Sequence, residues 1–146
     1  PTRRRMNVLR RGEGITILDD TYNANPQSMR AAISALAGSR GGRKVAILGD
    51  MLELGPFAPA LHSGVGECLG EACIDCLVAV GELARHIAEG ARDAGVPQVI
   101  HCAGLEEARA VLPQVIGPDC TVLVKASRGM KLEELTARLL ELTAEG

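Results

Sequence analysis

Tryptophan is absent from this 146-residue chain, and tyrosine and phenylalanine occur once each. A core must therefore be assembled from Val, Ile, Leu and Ala, and an apolar content of 47% is enough for one domain spanning residues 1–146. An excess of one charge is also missing: 16 Lys and Arg face 18 Asp and Glu, for a net charge of −2. Nothing in that balance suits a polyanion, so no nucleic acid is expected as a partner. No apolar run approaches the ~20 residues of a membrane span. The Arg3-Arg4-Arg5 start reads as a solvated entry segment, because no apolar signal region follows it. A cytoplasmic monomer without membrane attachment is expected.

Paired cysteines are lacking too. The five are Cys68, Cys73, Cys76, Cys102 and Cys120, an odd number that argues for free thiols. Cys68, Cys73 and Cys76 match only part of an iron–sulfur spacing. Cys68 falls on a helical stripe and Cys76 opens a strand, so buried thiols are expected and no metal site.

Two catalytic signatures are absent. Before Lys44, Arg43 holds the second glycine position of a phosphate loop and Val45 the hydroxyl position, so the chain supplies no main phosphate cradle. Ser127 has no evident His and acid partners for a hydrolase triad.

What is present is regular alternation. Met6-Asn7-Val8-Leu9, a Gly12-Glu13-Gly14 turn and Ile15-Thr16-Ile17-Leu18 read as a hairpin. Strands at Val45–Leu48, Cys76–Val80, Val99–Cys102 and Thr121–Val124 then alternate with helical patterns. These start near Pro26, Pro59, Leu83, Leu105 and Leu132. The second helix is expected to bury Leu61, Val65, Cys68 and Leu69, with His62 beside that stripe, partly buried and hydrogen-bonded. His86 reads as solvated. In the last helix, Glu134 and Arg138 stand four apart on the wet side, the spacing of a helical ion pair. The sum is an α/β fold: a Rossmann-like, about six-stranded, mostly parallel sheet, its N-terminal strand antiparallel, with helices on both faces.

The unusual residues fall in the turns after strands. Asp19-Asp20-Thr21-Tyr22-Asn23-Ala24-Asn25-Pro26 leads into the first helix, with Asn25 suited to the N-cap and Pro26 to the first turn. Gly49-Asp50-Met51-Leu52-Glu53-Leu54-Gly55 follows the next strand, and Lys125-Ala126-Ser127-Arg128-Gly129 the last. Parallel strands put these turns on one sheet edge, the place where ligands bind in open α/β sheets. Acidic, amide and cationic groups meeting there suit a small, polar, charged ligand. One reading is a phospho-acceptor receiver, with Mg²⁺ among the carboxylates and Asp50 taking the phosphoryl group.

The other reading comes from resemblance. Asp19 to Met29 resembles the motif that opens the C-terminal domain of the Mur ligases. Val45 to Gly55 is similar to a second family signature, and Val124 to Met130 to the last one, with Ala126 where the family usually has Gly. His62 with Val65-Gly66, and Val80-Gly81-Glu82, stand at family-like places. The three motifs occur in family order over almost the whole chain. The resemblance implies an ATP-dependent, amide-forming ligase of peptidoglycan precursor synthesis. Its tripeptide carboxylate is activated by ATP and then attacked by the incoming amine.

Most of all the residues resemble the member that joins D-alanyl-D-alanine to UDP-N-acetylmuramoyl-tripeptide. The related folylpolyglutamate synthetase domain is the nearest alternative. By this resemblance Asp20 accepts from the ATP ribose, and Tyr22, Asn23 and Asn25 line the nucleotide or dipeptide side. Lys125, Ser127 and Arg128 hold the dipeptide carboxylate. Asp50 either bonds the dipeptide ammonium or shapes its turn. The resemblance implies no catalytic residue and no metal ligand here: the phosphate loop and Mg²⁺ sites belong to a central domain. The chain alone is expected to have no ligase activity.

Overall fold

The computed structural model describes residues 6–146; the Arg3-Arg4-Arg5 entry segment lies outside the described residues. Strand β1 (Asn7–Arg10) pairs antiparallel with β2 (Thr16–Asp20), the two joined through a 3-10 turn at Gly12–Gly14. Then come α1 (Pro26–Ala37), β3 (Arg43–Gly49), α2 (Ala58–Glu71), β4 (Cys76–Val80), α3 (Ala84–Asp93), β5 (Gln98–Cys102), α4 (Leu105–Val115), β6 (Cys120–Lys125) and α5 (Glu133–Leu142). The six strands form one sheet in the order β1-β2-β6-β3-β4-β5, parallel except for the β1–β2 pair. Among the described residues no helix is long and apolar enough to cross a membrane.

The two-residue period of a strand decides which side chains go to which face. In β3, Ala46 and Leu48 join Met29, Ile33 and Leu36 of α1, Val65 and Leu69 of α2 and Ile87 of α3. Val45 and Ile47 join Ala108 and Leu112 of α4 and Leu135 and Leu139 of α5 on the other face. Each fully buried Leu or Ile contributes about 2 kcal/mol. Neither core contains an aromatic residue: Tyr22 and Phe57, the only two, are 38% and 70% exposed.

Helix α1 starts where its sequence demands. The Asn25 side chain accepts from the Ser28 N–H at 2.8 Å, and Ser28 Oγ accepts from the Asn25 N–H at 3.0 Å. This reciprocal cap is worth about 1 kcal/mol, and Pro26 fills the first turn without losing a bond.

Helices α2 and α3 are held closer than side chains normally permit. A Cβ at Gly66 would overlap the Ile87 carbonyl oxygen, and one at Gly90 the Ser63 carbonyl oxygen. The buried stripe of α2 accordingly runs through His62, Val65, Gly66 and Leu69, while Leu61 and Cys68 are only half-buried.

Other expectations are also corrected. Cys73 is exposed, in a left-handed turn with φ 58°, because it lies between α2 and β4 and outside either periodic pattern. Cys76, Cys102 and Cys120 are buried thiols as expected, and burial pushes Cys76 up to about 11. His86 is half-buried rather than solvated, its Nδ1 3.0 Å from Glu89. Glu134 and Arg138 do not pair. Glu134 reaches Arg109 on α4 at 3.5 Å, and Arg138 takes Glu141 at 2.9 Å. These exposed pairs contribute little.

Candidate functional site

Register fixes the site. Asp20 is level with Lys125 across β2–β6, Leu48 with Lys125 across β6–β3, and Gly49 with Val80 across β3–β4. The turns that follow β2, β6 and β3 therefore stand side by side on one rim. Helix α2, after β3, packs on one face of the sheet and α5, after β6, on the other. The rim thus opens between helices at the switch point of the sheet.

The turns are tied to one another. Lys125 Nζ donates to Asp20 Oδ2 at 2.9 Å and to the Asn23 carbonyl at 2.9 Å. The Lys125 side chain is 3% exposed and that of Asp20 17%. An ammonium so enclosed persists only with partners of this kind. Successive strand residues point to opposite faces, so Asp19 turns away from Asp20. Asp19 instead accepts from Thr21 at 2.9 Å and from Thr136 of α5 at 3.5 Å. The two adjacent carboxylates consequently form no common cluster. Among the described residues no group of three or more His, Cys, Asp or Glu could hold a metal ion.

Asp20, Tyr22, Asn23, Asn25, Ser28 and Lys125, with Met6, Ala31 and Ala32, line a cleft of about 410 Å³. All four proposed nucleotide residues are in that wall. Met6 and Ser28 were not singled out from the sequence. Ser28 was recognisable as a helix-cap position, whereas Met6 reaches the cleft only through strand pairing. The guanidinium of Arg128 lies over the Tyr22 ring, 5.0 Å from its centroid, a second bridge between the first and last turns.

The β3 turn is tied just as firmly. Asp50 is 7% exposed, and its Oδ1 accepts from the Ala84 N–H at 2.7 Å, at the N-terminus of α3. A carboxylate is favoured there by the helix dipole. Burial nevertheless disfavours the charged form and holds its carboxyl above the usual carboxylate range, opposed by the Ala84 bond and by His62. Gly81, at φ 119°, leaves no room for a Cβ beside that carboxylate. The Ser127 N–H donates to the Asp50 carbonyl at 3.1 Å, and Ser127 Oγ accepts from the Leu52 N–H at 2.8 Å. Ala126 is fully buried against Gly49, whose missing side chain makes space for it. Of the residues singled out for the dipeptide, Asp50, Lys125 and Ser127 are engaged within the rim, and Arg128 is exposed.

The chain is a six-stranded doubly wound α/β domain with three interlocked polar turns on one edge, and it belongs to the Mur ligase family: the model for the Mur ligase glutamate ligase domain matches residues 4–128. Its similar proteins are more specific. The UDP-N-acetylmuramoyl-tripeptide--D-alanyl-D-alanine ligase of Bacillus subtilis (strain 168) is 36% identical over 139 residues, 94% of this chain and 30% of that protein. The same ligase of Escherichia coli (strain K12) is 37% identical over 139 residues, 94% of this chain and 29% of that protein. Among solved structures, MurF from Acinetobacter baumannii matches with a TM-score of 0.85 at 34% identity, covering 97% of this chain and 30% of that one. MurF from Thermotoga maritima, in complex with ADP, matches with a TM-score of 0.75 at 30% identity, covering 97% and 30%. The chain thus spans about 30% of the length of the relatives it matches. Family membership, together with the engaged Asp50 carboxylate, overturns the receiver reading.

Proposed function

We propose that this chain is the C-terminal domain of an ATP-dependent ligase that joins D-alanyl-D-alanine to UDP-N-acetylmuramoyl-tripeptide in peptidoglycan precursor synthesis, in the cytoplasm. The observation that carries the reading is the shared wall of Asp20, Tyr22, Asn23, Asn25 and Lys125 around one cleft, in a chain whose relatives bear that ligase name. The donor set fits a nucleotide. Asp20 offers a carboxylate to ribose hydroxyls, Tyr22 a ring, and Asn23 and Asn25 amides. ATP, when bound, supplies the phosphoryl group that activates the tripeptide carboxylate. Mg²⁺ is assigned to the parts of the ligase beyond this chain.

The domain's own task is positioning. Lys125 holds Asp20 and the Asn23 carbonyl in place and keeps one donor for the cleft. Ser127 and Asp50 hold the β3 turn. Arg128, exposed beside Tyr22, takes the dipeptide carboxylate, so the amine is aimed rather than left to diffuse.

Asp20→Asn in the full-length ligase tests this, because the amide oxygen still accepts from Lys125 while the acceptor for ribose is weakened. KM for ATP is expected to rise about tenfold, the worth of a charge-assisted hydrogen bond, with KM for the tripeptide unchanged. An unaltered KM for ATP would remove Asp20 from the nucleotide site.

A further inference from the structure

His62 is a fully buried polar residue that the proposed function leaves unused. Its Nδ1 lies 2.6 Å from the Ala58 carbonyl oxygen, one turn earlier in α2. Its Nε2 accepts from the Met51 N–H at 2.9 Å. A carbonyl only accepts and an amide N–H only donates. The ring therefore carries its proton on Nδ1 and keeps the Nε2 lone pair.

Met51 is the middle of three consecutive residues that are each anchored outside the loop. Asp50 is held by the Ala84 and Ser127 N–H groups, Met51 by His62, and Leu52 by Ser127 Oγ. The character of the loop changes directly afterwards. Glu53 and Gly55 adopt positive φ, 64° and 70°, and Leu52 and Phe57 expose apolar side chains at 40% and 70%. The base of the β3–α2 loop is fixed, and its tip is presented along the rim.

We infer that His62 is a positioning residue: its unprotonated Nε2 pins the base of the β3–α2 loop to α2, and the loop keeps its place on the rim only while the imidazole is neutral. That this place serves the dipeptide rests on the function proposed above; the pin itself does not. Protonating Nε2 would set an N–H against the Met51 N–H, and the loop would have to open.

The charged groups around the ring act in both directions. Burial is the largest influence and lowers the ionisation of His62, the Ala58 bond and the Asp50 carboxylate oppose it, and His86 of α3 adds to the lowering. Glu82 acts on Asp50 in turn. A histidine held below its ordinary value of 6.5 stabilises the fold fully above that pH. The contribution is lost as the pH falls below it, because the unfolded chain then takes up the proton first.

Nitrogen-resolved NMR of the imidazole, with amide hydrogen exchange, tests the pin in the chain as it stands. At neutral pH the proton is expected on Nδ1, with Met51 protected from exchange and that protection falling on acidification before Val78 in the buried strand β4 is affected. His62→Gln places an acceptor near Nε2 that does not titrate, so Met51 should stay protected and lose its pH dependence. His62→Asn keeps a donor for Ala58 and loses the reach to Met51, so exchange there should quicken about tenfold. A proton found on Nε2, or equal Met51 protection in His62→Asn and the parent, would overturn the pin. Should His62→Asn fail to fold, the parent's tautomer and pH series decide alone. With D-alanyl-D-alanine as the probe, the parent and His62→Gln should respond alike at Leu52 and Glu53, and His62→Asn more weakly. No response in the parent, with the tautomer and exchange results intact, would sink the dipeptide reading and leave the pin standing.

Discussion

Replacing Lys125 with methionine is expected to lower the unfolding free energy of the domain by about 3 kcal/mol. Methionine retains most of the volume and the apolar stem, so what is removed is the ammonium. Its loss strands the Asp20 carboxylate, only 17% exposed, and leaves the Asn23 carbonyl without its donor. Breaking a fully buried pair costs about 3–5 kcal/mol, and the partial access of Asp20 to water puts this case at the lower end. Asp20→Asn should cost about 1 kcal/mol, because an oxygen still faces Nζ. Urea denaturation of both variants checks the pair. Equal, small losses would mean that the ammonium and carboxylate do not depend on each other. The prediction bears on the proposed function, since the same ammonium sets the turn that walls the cleft proposed for the nucleotide.

Gly66→Ala should destabilise the domain by about 3 kcal/mol, although alanine is the better helix former by about 1 kcal/mol. The added methyl would overlap the Ile87 carbonyl oxygen, and backbone does not rotate aside. Helices α2 and α3 would have to separate. Gly64→Ala in the same helix is the control. Nothing lies within 4 Å of its Cβ, so the propensity gain should appear unopposed, as about 0.5–1 kcal/mol of added stability. Thermal unfolding of the two variants should therefore move in opposite directions. Two changes of the same sign would mean that contact between the helices does not set their separation. Displacing α3 also moves the Ala84 N–H that holds Asp50, so the Gly66 variant is expected to loosen the β3 turn as well.

These two cases mark where the amino-acid sequence is legible and where it is not. Asn25-Pro26 announces a helix start because a cap is local: every partner lies within three residues. The alternation of apolar strands with helical stripes yields the parallel sheet, and a parallel sheet puts the three polar turns on one rim without knowledge of strand order. The clasp on that rim is another matter. Lys125 and Asp20 are 105 residues apart, and nothing in either neighbourhood names the other. Read locally, Lys125 is a free cation for a carboxylate ligand; β2 pairing with β6 makes it a clasp. Val65 and Leu69 of α2 lie inside as expected, but the edges of its stripe shift for a related reason. Hydrophobicity favours Leu61 and Cys68 for the inside, but the close approach of α3 needs glycine there, and His62 is satisfied by two backbone partners that no pattern reveals. Cys73 sits in a turn, where burial follows from neither the helical nor the strand period.

The most direct test of the account is a chemical-shift titration of the domain with ADP and, separately, with D-alanyl-D-alanine. Affinities of about millimolar, near −4 kcal/mol, are expected, because under the proposed function this domain supplies only part of each pocket. ADP is expected to move the resonances of Asp20, Tyr22, Asn23 and Asn25, and the dipeptide those of Arg128 and the β3 turn. Shifts confined to the opposite edge of the sheet, around Gly41 and Asp119, would contradict binding on this rim.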